Sequence, residues 1–492
     1  MGIIIKQSIR GSFWSYFGVI IGFITTSYLY PNYLTTDLVG LFGLLVAYST
    51  LFGNFSLLGI QSVTARLFPL FRDKQYGHHG FLPIALLVMA AGFSLFLIVY
   101  SVFSPLLIES NAEKSKIFSE YIYLLVPLTF FTMAFTFFDS YNKVLYNAVF
   151  GIFLQEFLQR LLILSVILLY VFHLISVSQL IIGYASAVCL KGIVILIFLI
   201  AKKEVHLKPQ FNFVSKTLKK EMIDVALFSI LGGLGSMIVF NIDKILVNQL
   251  LDLGNTGVYT IAFYFGTLVV IPSRPLQKIS GTLIADAWMK NDLGTIRDIY
   301  YKSCITQFVI GGFLFTGIWT NIDNIITILG NDYLQSRWVI FFIGIGYLFD
   351  MLTGANALVI AYSKYYRISL VFTSILIVTV VILLYLLIPA LGITGAAIAI
   401  AGALFLNNLM RYIFLFKKYR FQPFSLRFLF IALIFLFIYT AISFIPRMPL
   451  IPDILVRGTV AAALSFLAFW FLPVSDEVKG LLKTIIGKLK KT

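Results

Sequence analysis

Along the 492 residues, apolar runs of about twenty residues recur with only short polar interruptions between them. A helix needs roughly 20 apolar residues to cross hydrocarbon, and only helices and closed barrels satisfy every backbone donor and acceptor there. The runs are too long and too continuous for barrel strands, which alternate apolar and polar positions over about ten residues. With 60% hydrophobic and 12% charged residues, the chain has too little polar surface for a water-soluble globule. The spacing therefore predicts an all-α integral membrane protein with about 14 transmembrane helices, from residues 11–31 to residues 453–472.

The net charge of +16 does not point to nucleic acid, because the basic residues gather in short loops rather than on a soluble domain. Counted against the predicted spans, they fall mainly on one side. The loops assigned inside hold Arg66, Arg72, Lys74, Lys143, six lysines between residues 202 and 220, Arg274, Lys278, Lys290, Arg297, Lys302, Lys364, Arg367 and, around the end of the twelfth helix, Arg411, Lys417, Lys418, Arg420 and Arg427. The loops assigned outside hold Lys114, Lys116, Arg447 and Arg457, with Arg337 close by. Such a bias places both termini in the cytoplasm. Lys6 and Arg10 precede an apolar stretch too long for a signal sequence, which reads as the first membrane helix. Cys189 and Cys304 fall in or beside predicted helices and suggest buried thiols, not a disulfide framework.

Residues 202–221 interrupt the apolar pattern with six lysines (Lys202, Lys203, Lys208, Lys216, Lys219 and Lys220) and Pro209. This basic cytoplasmic linker separates an N-terminal six-helix bundle (residues 1–201) from a C-terminal one (222–418). Two further helices (419–473) and an amphipathic basic tail (474–492) follow, the tail expected to lie on the inner membrane surface. Six is even, so the second bundle re-enters from the same side, as parallel repeats enclosing a cavity do. A short echo accompanies this: Gly40-Leu41-Phe42 opens the second span and Gly257-Val258-Tyr259 the eighth.

Charge within the spans marks candidate recognition sites, since each costs about 3 kcal/mol on insertion scales unless paired or wetted. Gln155, Glu156, Gln159 and Arg160 share one face of the fifth helix, with Glu156 and Arg160 at ion-pairing spacing. This is either a cavity wall for an anionic or hydroxyl-rich cargo or a self-satisfied pair that fixes helix packing. Lys191 lies near the middle of the sixth helix with no acid in its own segment. Asp350, Thr353 and Asn356 form a polar patch in the tenth helix, and Asn407, Asn408 and Arg411 another in the twelfth, where Arg411 reads as an interfacial anchor. Asp243 and Lys244 lie near a helix end, where snorkelling suffices. The cations without a partner in their own segment suit a phosphate-bearing or acidic-sugar cargo better than a lipophilic cation.

No phosphate-cradling glycine loop, metal-ligand pattern or nucleophile constellation is visible, and the expectation is a protein without catalytic, cofactor-binding or metal-binding residues. His78, His79, His173 and His206 are scattered in or near loops and read as solvated.

Two stretches carry a resemblance. Asp243-Lys244 precedes Gly257-Val258-Tyr259-Thr260-Ile261-Ala262, and Ile388-Pro389-Ala390-Leu391-Gly392-Ile393-Thr394-Gly395-Ala396-Ala397 opens the twelfth helix. With the six plus six plus two pattern, these resemble the polysaccharide flippases of the multidrug/oligosaccharidyl-lipid/polysaccharide exporter superfamily. The resemblance implies a flippase of the bacterial inner membrane that carries undecaprenyl-diphosphate-linked oligosaccharide repeat units to the periplasmic leaflet by alternating access. The implied partners are the lipid-linked substrate, membrane lipids and other polysaccharide assembly proteins, with no nucleic acid. An ion-coupled multidrug or metabolite antiporter of the same fold is the alternative, although drug-exporting relatives usually stop at twelve helices.

Overall fold

The computed structural model describes residues 2–111, 114–471 and Gly480. Apart from Gly480, the expected amphipathic tail lies outside the described residues. All regular structure among the described residues is helical. Among the described residues, ten helices are long and apolar enough to cross a membrane, or eleven when the bent pair Ser336–Leu352 and Asn356–Tyr362 is taken as one span. The protein is a multi-pass membrane protein. The chain divides into two compact units, Met1–Gly257 and Val258–Thr492.

Local chemistry sets many of the helix ends. Ser176 and Gln179 form a reciprocal capping box at the start of Val177–Ala201. The Thr35 side chain accepts from Leu38 N ahead of Thr36–Ser56, and Asp292 accepts from Thr295 N ahead of Leu293–Thr320.

The predicted spans are interrupted where backbone geometry demands it. The seventh, expected over residues 223–248, divides into Lys216–Val239 and Ile242–Leu250. Asp243, expected to snorkel, is fully buried in the first turn of the second piece. The fifth span contains a π turn, Phe153–Leu158, between Ala148–Ile152 and Gln159–Val171. The tenth bends by 49° between Ser336–Leu352 and Asn356–Tyr362. At that bend Gly354 has φ of +56°, and a Cβ there would lie 2.6 Å from Ser303 Oγ, so only glycine fits. The eleventh and twelfth spans form one continuous helical run, Ile368–Tyr419, broken at Gly392 (φ 61°, ψ −144°) just after Pro389.

The echo noted in the sequence becomes a physical contact within the first unit. A Cβ at Gly40 would lie 2.1 Å from the Leu253 carbonyl oxygen, and a Cβ at Gly257 would lie 2.0 Å from that of Thr36. Thr36 stands to Gly40 as Leu253 stands to Gly257, so the contact is self-complementary. Two helices touch backbone to backbone because neither carries a side chain at the crossing.

The linker is docked rather than loose. Gln210 Nε2 donates to the Tyr76 carbonyl at 3.1 Å, Phe213 stacks on His79 at 4.0 Å between centroids, and Tyr141 Oη donates to the Glu204 carbonyl at 3.2 Å. Its last residues, from Lys216, already belong to the following helix.

Candidate functional site

The π turn Phe153–Leu158 carries Glu156 into the first unit's charged group. Such turns add one residue to the helical cycle and often occur at functional sites. Arg160 Nη2 donates to Glu156 Oε2 at 2.6 Å and Nη1 to the Gly18 carbonyl at 2.7 Å. Both charged side chains are 31% exposed, which leaves the pair neither sealed nor free. The first helix, Gly2–Ile24, comes this close because it lacks side chains at the contact. A Cβ at Gly18 would lie 1.8 Å from the Glu156 carbonyl oxygen, and one at Gly22 would lie 2.6 Å from Arg160 Nη1. Gln159 is half-buried beside the pair in sequence, and Gln155 is exposed.

Helix Val177–Ala201 packs against both Leu125–Val144 and Gln159–Val171. This sets the Lys191 ammonium over the Phe135 ring, 4.9 Å from its centroid, a cation–π contact. Lys191 lies within electrostatic reach of Glu156 and Asp139 but makes no salt bridge among the described residues. Asp139 is buried, its Oδ2 lies 2.5 Å from Lys143 Nζ, and its Oδ1 has no hydrogen-bond partner. Sequence reasoning missed Asp139 and Phe135. The i,i+4 spacing of Asp139 and Lys143 was the available signal, hidden because Lys143 reads as a loop cation.

In the second unit, Asp350 and Asn356 meet on Asn408. Asn408 Nδ2 donates to Asp350 Oδ1 at 2.9 Å, while Asn356 Nδ2 and Thr353 Oγ1 donate to Asn408 Oδ1 at 2.9 and 3.0 Å. Arg411, one turn on, lies in the field of Asp350. Asn408 and Asn356 are buried and Asp350 is half-buried. The broken backbone beside them is also satisfied: Gln277 Nε2 donates to the Gly354 carbonyl at 3.0 Å and Ala355 N to Ser303 Oγ at 3.0 Å. The amides of Asn408, Asn356 and Gln277 are engaged by neighbours, which is what a rigid support requires.

The histidines depart from expectation. His78 is buried, not solvated, and its ring lies 5.6 Å from that of His206. His79 is half-buried against Phe213, and of the four only His173 is exposed.

The two groups therefore differ chemically. The first unit offers Arg160 and Lys191, partly exposed and incompletely neutralised, which can attract an anion. The second offers a closed amide and carboxylate network that holds a helix break in place.

A structure titled as the lipid II flippase MurJ in an inward closed conformation matches 95% of this chain and 99% of its own, with a TM-score of 0.71 at 16% identity. An inward-facing multidrug resistance MATE family transporter of the MOP superfamily matches 83% of this chain and 92% of its own, with a TM-score of 0.59 at 14% identity. A MATE structure in a bent conformation gives 0.51 at 16% identity over 84% of this chain and 94% of its own. These likenesses establish a flippase and transporter fold. No curated protein matches the chain. A sequence model described as "Polysaccharide biosynthesis protein" matches residues 8–276, more than half of the chain, and the protein belongs to that family.

Proposed function

We propose that the protein is a flippase that carries undecaprenyl-diphosphate-linked oligosaccharide repeat units from the cytoplasmic to the periplasmic leaflet of a bacterial inner membrane. The product feeds O-antigen, capsule or exopolysaccharide assembly. Both termini are cytoplasmic, and the bundles 1–201 and 222–418 alternate access about the linker 202–221, with helices 419–473 beside them. A polyprenyl anchor need never leave hydrocarbon, so the protein has only to shelter the polar headgroup; no covalent chemistry is required.

The observation that carries this reading is Lys191. It is a membrane-embedded ammonium with no salt bridge among the described residues, within the field of Glu156, whose own pair with a second cation, Arg160, is partly open. A cation kept in a bilayer without a fixed counter-charge is expensive unless something anionic arrives, and the diphosphate or acidic sugars of such a substrate are anionic. The family match and the MurJ-like fold support the same direction. Replacing both cations (Arg160→Gln with Lys191→Met) should make lipid-linked intermediates accumulate in the inner leaflet at unchanged protein level. Unaltered surface polysaccharide in that strain overturns the reading.

The likeness to MATE transporters favours one rival, an ion-coupled antiporter, for which buried Asp139 with its unpartnered Oδ1 is the natural ion ligand. That rival predicts efflux that depends on a proton or sodium gradient and no stalled glycolipid on deletion.

A further inference from the structure

A cluster of metal-ligating side chains stands where the linker docks on the turn 73–80, away from the charged groups above. His78, Glu204 and His206 each place a ligand atom within 4.8 Å of the other two. His78 Nε2 lies 3.2 Å from Glu204 Oε2. A tetrahedral ion with arms of about 2.0–2.1 Å holds its ligands roughly 3.3 Å apart, so this pair is already at ligand spacing.

The surroundings orient the set. Lys74 Nζ holds the other carboxylate oxygen, Oε1, at 2.6 Å and leaves Oε2 facing the histidines, while Tyr141 anchors the Glu204 backbone. A carboxylate fixed in this way by outer partners is usual around protein-bound ions.

A hydrogen-bond chain from Lys74 through Glu204 to His78 explains part of this cluster and leaves the rest. His78 Nδ1 and His206 Nε2 are buried with no hydrogen-bond partner. Orphaned buried polar atoms are uncommon; His78 Nδ1 lies across its ring from Nε2, the nitrogen that faces Glu204, so it is the orphan on His206 that points to a missing occupant. The backbone adds a second anomaly: Gly77, His78, His79 and Gly80 all have positive φ (59°, 53°, 47° and 68°). Histidine adopts this conformation seldom, and such strain persists where the surroundings over-determine it. Here it turns His78 inward to Glu204 while His79 stacks on Phe213.

We propose that His78, Glu204 and His206 bind one divalent transition cation, zinc by the preference of mixed imidazole and carboxylate donors, and that the ion fastens the linker to the turn 73–80. The fourth position is open to water.

The full-length protein, purified through a tag without histidines and stripped with EDTA, is titrated with zinc chloride against a fluorescent zinc chelator. One tight zinc per chain is expected. His206→Gln and Glu204→Gln should each weaken binding at least about tenfold, the lower end of what outer-partner changes alone cost, and His79→Gln should leave it unchanged. In parallel, zinc should slow amide hydrogen exchange across residues 204–213 in the unmodified protein and not in His206→Gln. Absence of stoichiometric binding, or equal affinity in His206→Gln, overturns the proposal. His206 is half-buried, so its glutamine variant serves even where a substitution at buried His78 fails to fold.

Discussion

Exchanging Glu156 and Arg160 separates the two meanings of that pair. Arg160 makes two charge-assisted hydrogen bonds, at 2.6 Å to Glu156 and 2.7 Å to the Gly18 carbonyl. Bonds to charged groups contribute about 1.5–3 kcal/mol each when buried. With each side chain 31% exposed, solvent and side-chain entropy reduce that substantially, and Arg160→Gln should cost about 1–2 kcal/mol in all. The swapped variant, Glu156→Arg with Arg160→Glu, keeps an i,i+4 pair in the less favourable order and loses the bond to Gly18, so it should recover all but about 1 kcal/mol of that cost. Thermal unfolding in nanodiscs measures this part. Surface polysaccharide and stalled lipid-linked glycan measure the other: if the position of the positive charge matters to an anionic cargo, export should remain at least about tenfold down in both variants, a loss of about 1.4 kcal/mol or more in barrier. Full export in the swapped variant would refute the cargo role and leave Arg160 a packing device.

Three further outcomes follow from the structure. Arg457→Met should destabilise the protein by about 1–3 kcal/mol in chemical unfolding, since buried Asp453 loses its contact at 2.7 Å with Arg457 Nε and keeps Arg447 at 3.5 Å, Asn324 and Met448 N; adding Asp453→Leu should recover part of the loss. Gly257→Leu should cost at least about 1–3 kcal/mol and lower the yield of folded protein, because its side chain meets the Thr36 carbonyl, whereas the same change at Gly458, with nothing within 4 Å, should be neutral in the same assay. Asn408→Leu should cost at least about 2 kcal/mol in thermal unfolding, because Asp350, Thr353 and Asn356 lose their common partner at once.

The helical architecture was legible because periodicity and length in a bilayer admit few solutions. Glu156–Arg160 was legible too, since partners four apart on a helix face one another whatever surrounds them. What the sequence concealed depends on long-range closure. Lys191 finds Phe135 from another helix, His206 reaches His78 across more than a hundred residues, and Asp243 is buried although its place near a helix end suggested the interface. None of these follows from spacing along one segment. The π turn is similar: no residue among Phe153–Leu158 announces it, and it becomes comprehensible only with Gly18 of the first helix lying against Glu156.

The exceptions to the loop charge bias show the same logic from the other side. Arg337, Arg447 and Arg457 stood out because they fell in or near loops otherwise poor in cations. Asp323 pairs with both Arg337 and Arg447, and Asp453 pairs with Arg457 while accepting from Asn324 Nδ2 at 2.7 Å. Arg457 also donates to the carbonyls of Ile442 and Ile445 at 3.0 and 2.8 Å, closing the end of Leu426–Ser443, whose last carbonyls have no intrahelical donor. Arg447 and Arg457 serve the junction between the last two helices, and Arg337 shares Asp323 with Arg447, so their presence there reflects a structural task rather than orientation in the membrane. A cation that breaks a topological pattern therefore divides into two kinds, those with a fixed carboxylate and those without. Lys191 belongs to the second kind, which is why it, rather than the more numerous paired arginines, carries the functional proposal.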